Sequence, residues 1–226
     1  HWRPDCAVGF PEGRACNLRA RNDASREHSW RNGLWLKWEK LVPKIAPSDR
    51  ETNGPFDVSE IGLLTPYLDF ESIRIAPKPG LVVRADIDEV NNRVVAITLE
   101  EDGHRLQLQA FAASKIDGMW EQTLLALEQA VTDQGGSTQR IDGALGPEIK
   151  AGIPVVEDGQ RLLKESRFIG VDGPRWFLRG VLTGPDLSHP PRYQSLIELF
   201  RSVGVSRGET PLPPGDLLPL SIPVQQ

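Results

Sequence analysis

Arginine and glutamine side chains on alternating stretches have the clearest capacity for chemistry in this chain. Arg175 and Arg179 stand four apart in "DGPRWFLRGVLTGP" (172–185), with Trp176, Phe177 and Leu178 between them. A guanidinium fork grips a carboxylate or phosphate through two hydrogen bonds, and a nearby ring offers a stacking plane. Side chains alternate across a strand, so Trp176, Leu178, Gly180 and Leu182 share one face. Arg175, Phe177, Arg179, Val181 and Thr183 share the other. Gln107, Gln109 and Phe111 likewise face away from Leu106 and Leu108, and Arg84 and Asp86 from Leu81 and Val83. If these strands are neighbours, Arg84, Gln107, Gln109, Arg175, Phe177 and Arg179 converge on one surface, suited to an anionic small molecule or a protein partner. In the competing reading, Arg175 and Arg179 pair with Asp86, Asp88 or Glu148 across strands, their stems covering Phe177. Both readings stay open at this point.

Other chemistries find little support. His1, His28, His104 and His189 form neither H-x-x-H nor H-E-x-x-H, so no metal site is expected. Cys6 and Cys16 are nine residues apart with no His close by, which matches no usual zinc spacing. The "GVDGPRWFLRG" stretch has glycines but lacks a phosphate-loop pattern, and Pro174 removes an amide donor. There is no G-x-S-x-G elbow, and Ser195 falls inside a helical pattern. Asp86 and Asp88 alone are too few for a cation, and "EED" at 100–102 reads as a solvated turn. No catalytic constellation emerges, and no cofactor is expected.

Composition narrows the class further. Hydrophobic residues make up 39% of 226, as in globular proteins. No window approaches the ~18–20 apolar residues of a membrane span, and no apolar leader opens the sequence, so the cytoplasm is the expected location. Residues 1–53 carry a net charge of +3 and residues 54–226 carry −8, together the overall −5. An acidic body disfavours nucleic acid, whose affinity rests on neutralising phosphates.

The elements that must position the arginines are strands. "LVVRADID" (81–88), "RVVAITLE" (93–100) and "RLQLQAFAAS" (105–114) alternate with period two and are joined by turn residues, predicting an antiparallel meander. Trp120, Leu124, Leu127 and Val131 recur at helical spacing, with Asp117 as the expected N-cap and Gly135–Gly136 as the stop. Further strands are expected at 138–142, 148–156 and 166–184, the last folded at Asp172–Gly173. A second helix follows, with the stripe Tyr193, Leu196, Ile197, Phe200 and Val203. Residues 1–53 read as a disordered or weakly ordered extension and linker, with a brief amphipathic helix at 34–42. An alternative role for residues 1–33 is a short aromatic-basic interaction tail. Residues 54–226 read as one α+β domain, an antiparallel sheet with two helices packed on it and a Pro-rich tail.

Several of these stretches together resemble a known family. "GPFDVSE" (54–60), "LQLQAFAA" (106–113) with "MWEQ" (119–122), "RFIGVDGPRWFLRGVLTGP" (167–185) and "PLPPGDLLPL" (211–220) are similar to an uncharacterised actinobacterial family of domain-of-unknown-function proteins. The resemblance covers roughly 54–222. It implies a cytoplasmic protein with no assigned activity, no known cofactor and no functional residues to carry over. The element order also looks like a Mog1/PsbP-type sandwich, a shape often used by binding or assembly modules. A non-catalytic binding or assembly module therefore ranks ahead of an enzyme or regulator acting on an anionic small molecule such as a nucleotide.

Overall fold

The computed structural model describes residues 41–62, 66–157 and 160–223. The expectations for 1–33, and nearly all of the 34–42 helix, lie outside the described residues. The chain opens with α1 (Arg50–Asn53), β1 (Phe56–Asp57), a 3-10 turn at Val58–Glu60, β2 (Leu68–Asp69) and β3 (Ile73–Ile75). The expected meander follows as β4 (Val82–Asp88), β5 (Arg93–Glu101) and β6 (His104–Ala112). Asp102 and Gly103 both have positive φ, which gives the two-residue turn that matches strand twist between β5 and β6. Next come α2 (Trp120–Asp133), β7 (Ser137–Gly143), β8 (Gly146–Glu157), β9 (Gln160–Asp172) and β10 (Trp176–Thr183). The last elements are α3 (Pro190–Arg201) and β11 (Gly204–Val205). This is an α+β fold dominated by antiparallel sheet.

Seven strands form the main sheet in the order β4-β5-β6-β10-β9-β8-β7, all pairs antiparallel. A small second sheet runs β1-β11-β3-β2. Because β10 is central, both of its faces are covered. On one face Trp176, Leu178 and Leu182 join Ile97, Leu99, Leu106 and Leu108 under α3 and the small sheet. Gly180 lets α3 come close, since a methyl group there would sit 2.9 Å from the Phe200 ring. Trp176 ties the small sheet down by donating from Nε1 to Asp57 Oδ2 at 2.9 Å.

On the opposite face α2 lies over β7, β8 and β9. Its stripe, Trp120, Leu124, Leu127, Ala130 and Val131, meets Phe111, Ile149, Ile153, Phe168, Phe177 and Val181. The helix start differs from the sequence expectation. Asp117 does not cap it; the residue before Trp120 is Met119, with no side-chain cap. Asp172, at the end of β9, takes that role, accepting from the Met119 amide at 2.8 Å and the Trp120 amide at 3.4 Å. Its Oδ2 also accepts from the Ile45 amide at 2.9 Å, which holds that residue against the fold.

The Pro-rich tail is extended, and it also pairs. Past Leu108, β6 exchanges β5 for the tail: Leu218 donates to the Ala110 carbonyl (2.9 Å), and Ala112 donates to the Asp216 carbonyl (2.8 Å). No helix among the described residues is long and apolar enough to cross a membrane.

Candidate functional site

The register brings most of the expected polar face together. Arg179 lies opposite Gln109, Val181 opposite Gln107, and Phe177 opposite Phe111 on adjoining β10 and β6. Gln107 lies opposite Thr98 on β5, and Thr98 opposite Arg84 on β4. All of these side chains belong to the face that carries α2; Phe111, Phe177 and Val181 pack with its stripe, and Arg84, Thr98, Gln107, Gln109 and Arg179 belong to neither core.

Hydrogen bonds organise this surface. Asp86 Oδ2 accepts from Gln107 Nε2 at 2.8 Å and from the Thr98 hydroxyl at 2.7 Å. Arg84 and Arg105 flank Glu100 at 3.1 and 2.6 Å. Gln109 sits where β5 parts from β6: its Nε2 donates to the Val95 carbonyl at 3.1 Å, and its Oε1 accepts from Arg179. The Arg179 guanidinium carbon is 5.7 Å from the centre of the Phe111 ring. Arg179 Nε is buried without a hydrogen-bond partner, and no carboxylate among the described residues pairs with the group. Burial lowers its pKa to about 10, so it stays charged at neutral pH.

Two of the sequence-picked residues sit elsewhere. Phe177 is 1% exposed, with its ring 5.8 Å from Phe111 and 5.7 Å from Trp120; it is a core side chain, not a stacking plane at the surface. Arg175 is exposed in the Gly-Pro turn, one strand half away from Arg179. The acids offered as its cross-strand partners are engaged elsewhere: Asp86 as above, Asp88 with the Asn91 side chain (2.6 Å), and Glu148 with Arg167 (3.2 Å). Thr98, Glu100 and Arg105 complete the surface, and the alternation of β5 and β6 is the sequence signal that marks them. His104 is buried against the Pro185 carbonyl (2.7 Å), and His189 precedes α3. Among the described residues no group of three or more His, Cys, Asp or Glu could hold a metal ion.

A second polar cluster, unforeseen as a unit, lies on the opposite face between β8, β9 and α3. Glu148 is 1% exposed, and its Oε2 accepts from the Tyr193 hydroxyl at 2.7 Å. Arg167 packs its guanidinium 4.6 Å above the Tyr193 ring. Burial pushes the Glu148 carboxyl above its ordinary range, while Tyr193 and Arg167 pull it back; burial and Glu148 together raise the tyrosine. An acid raised in this way favours the folded chain at low pH, and that contribution is lost as pH rises through its folded value. Removing the Tyr193 donor raises Glu148 further. Tyr193→Phe is therefore expected to cost about 1–2 kcal/mol at neutral pH and less in acid, where Glu148 is protonated. Thermal melts at about pH 4.5 and about pH 7.5 read this. A loss of equal size at both would remove Glu148 from the explanation.

No curated protein and no solved structure matches the chain. The finer likeness to a Mog1/PsbP-type sandwich therefore has no structural match behind it. A family model covers residues 54–226, the stretch that holds nearly all of both cores and the whole polar face. The chain thus belongs to the DUF3710 family, whose members are described as proteins of unknown function.

Proposed function

We propose that residues 54–226 act as a non-catalytic binding or assembly module that takes an anionic group of a partner protein at Arg179. One observation carries this reading: a half-buried, charged guanidinium whose Nε is buried and unpartnered, with no carboxylate beside it among the described residues. A guanidinium whose Nε has lost water without gaining a partner is a poor end state, and an incoming carboxylate or phosphate would supply the missing acceptor. Gln109 and Phe111 hold the guanidinium in place, Gln107 is the next residue on that face of β6, and Arg84 lies three strands away on β4.

The alternative is an enzyme or regulator that binds an anionic small molecule through the same side chain. A site on a sheet face favours the protein partner, because small ligands prefer enclosed sites. Two hollows, about 640 and 390 Å³, border the β8–β9 hairpin and not Arg179. Asp86, the nearby acid, is already committed to two donors. The net charge of −8 over 54–226 weighs against nucleic acid. A cytoplasmic setting is part of the proposal.

Arg179→Met tests the reading. In plain buffer the variant is expected to melt close to the wild-type temperature, because Met keeps the packing on Phe111 and the lost bond to Gln109 is offset by removal of a half-buried charge. Wild type should be stabilised by millimolar inorganic phosphate or by an acidic peptide, and Arg179→Met should not. A loss above about 3 kcal/mol in Arg179→Met, with no anion effect on wild type, would make Arg179 purely structural.

A further inference from the structure

The β8–β9 hairpin outruns its neighbours. Pairing with β7 ends at Ser137–Gly152, and pairing with β10 ends at Thr183–Ser166, yet β8 and β9 stay paired out to Glu157–Gln160. The strand segments Ile153–Glu157 and Gln160–Glu165 thus form a two-stranded arm with no third strand among the described residues. Such ribbons are marginal alone in water. This one also shows Val156, Leu163 and Leu162 at 69%, 61% and 44% exposure. Soluble proteins blunt or cover edges of this kind. Pro154 blunts the β8 edge: the ladder runs unbroken through Pro154–Leu163, so its missing N–H faces outward. The β9 edge, Gln160–Glu165, has no such block.

We infer that this edge pairs antiparallel with the same edge of a second copy of the chain, through a two-fold axis at Leu163. A two-fold axis perpendicular to the sheet keeps each side chain on its own face, and antiparallel pairing then sets one residue directly opposite its own copy. Centred on Lys164, it sets two lysines opposite each other, which is repulsive. Centred on Leu162, it pairs no opposite charges. Centred on Leu163, it sets leucine against leucine and Arg161 opposite Glu165 of the second copy, twice over. That self-complementarity is what an isologous interface requires. Glu165 retains capacity for a new donor, since the Ser188 hydroxyl (3.1 Å), Lys150 (3.4 Å) and Arg167 (3.7 Å) all meet its Oε1, which leaves Oε2 for Arg161 of the second copy. The inference is independent of the Arg179 reading, because neither set of residues touches the other.

Sedimentation equilibrium of the full chain tests it. Wild type should show a reversible monomer–dimer equilibrium in the micromolar range. Leu163→Lys should abolish it, while thermal midpoint and near-ultraviolet circular dichroism stay those of wild type, since Leu163 belongs to neither core. Arg161→Glu and Glu165→Arg should each weaken the dimer about tenfold, and the double swap should restore it. A chain that stays monomeric throughout, a dimer untouched by Leu163→Lys, or a double swap without rescue would each overturn the inference.

Discussion

Trp120→Ala is expected to destabilise the domain by about 4 kcal/mol, lowering its thermal midpoint by roughly 10 °C. Trp120 is fully buried and lies where α2 meets the sheet. Gly170 offers the ring a bare backbone: a methyl group at that position would sit 2.6 Å from it. The Phe177 ring packs beside it at 5.7 Å. The indole Nε1 also donates to the Pro147 carbonyl at 2.7 Å, so truncation leaves a cavity and an unpaired acceptor together. Trp120→Phe should recover part of the packing but not the hydrogen bond, and should fall between the two. Urea unfolding of the three proteins reads the order. A loss below about 1 kcal/mol for Trp120→Ala would mean that α2 is not seated on this ring.

Asp172→Ala should cost about 3 kcal/mol, because three backbone amides lose their acceptor in a buried place. The carboxylate also sits at the positive end of α2, where negative charge is favoured. Asp172→Asn keeps one acceptor oxygen and should lose less. Burial raises this carboxyl above its ordinary value despite the amides and Lys44, which lower it. Its pH contribution therefore has the sign already described for Glu148: it favours folding in acid and is lost as pH rises through the folded value. Asp172→Asn should remove that part of the stability–pH curve. Trp120 and Asp172 serve the same helix end, so their losses should add to less than their sum in a double mutant. Strict additivity would show that the two sites act separately.

The strands and the two long helices are legible in the sequence because each buries one clean stripe. Leu106 and Leu108 alternate with Gln107 and Gln109, and Trp120, Leu124, Leu127 and Val131 return at helical spacing. Phe177 shows where that logic stops. Alternation puts it on the same face as Arg179, but α2 covers only part of that face. Which part depends on strand order, and no local pattern encodes strand order. Asp172 is hidden for a related reason: the amide it caps is 53 residues away in sequence, whereas ordinary capping signals are local. The strands of the small sheet are two or three residues long, too short to show any period. The first half of β9, "QRLLKE", sets two leucines side by side, which obscures the alternation of a strand exposed on both faces.

The hand-over of β6 from β5 to residues 215–218 has a consequence for how the protein is made. A ribosome delivers β6 about a hundred residues before the segment that completes its edge. Until that segment emerges, Ala110 and Ala112 present open main-chain groups beside Phe111, a template for stray pairing. Chains released early, before Gly215, should therefore accumulate in aggregates even though every helix and every strand of the main sheet has already been synthesised.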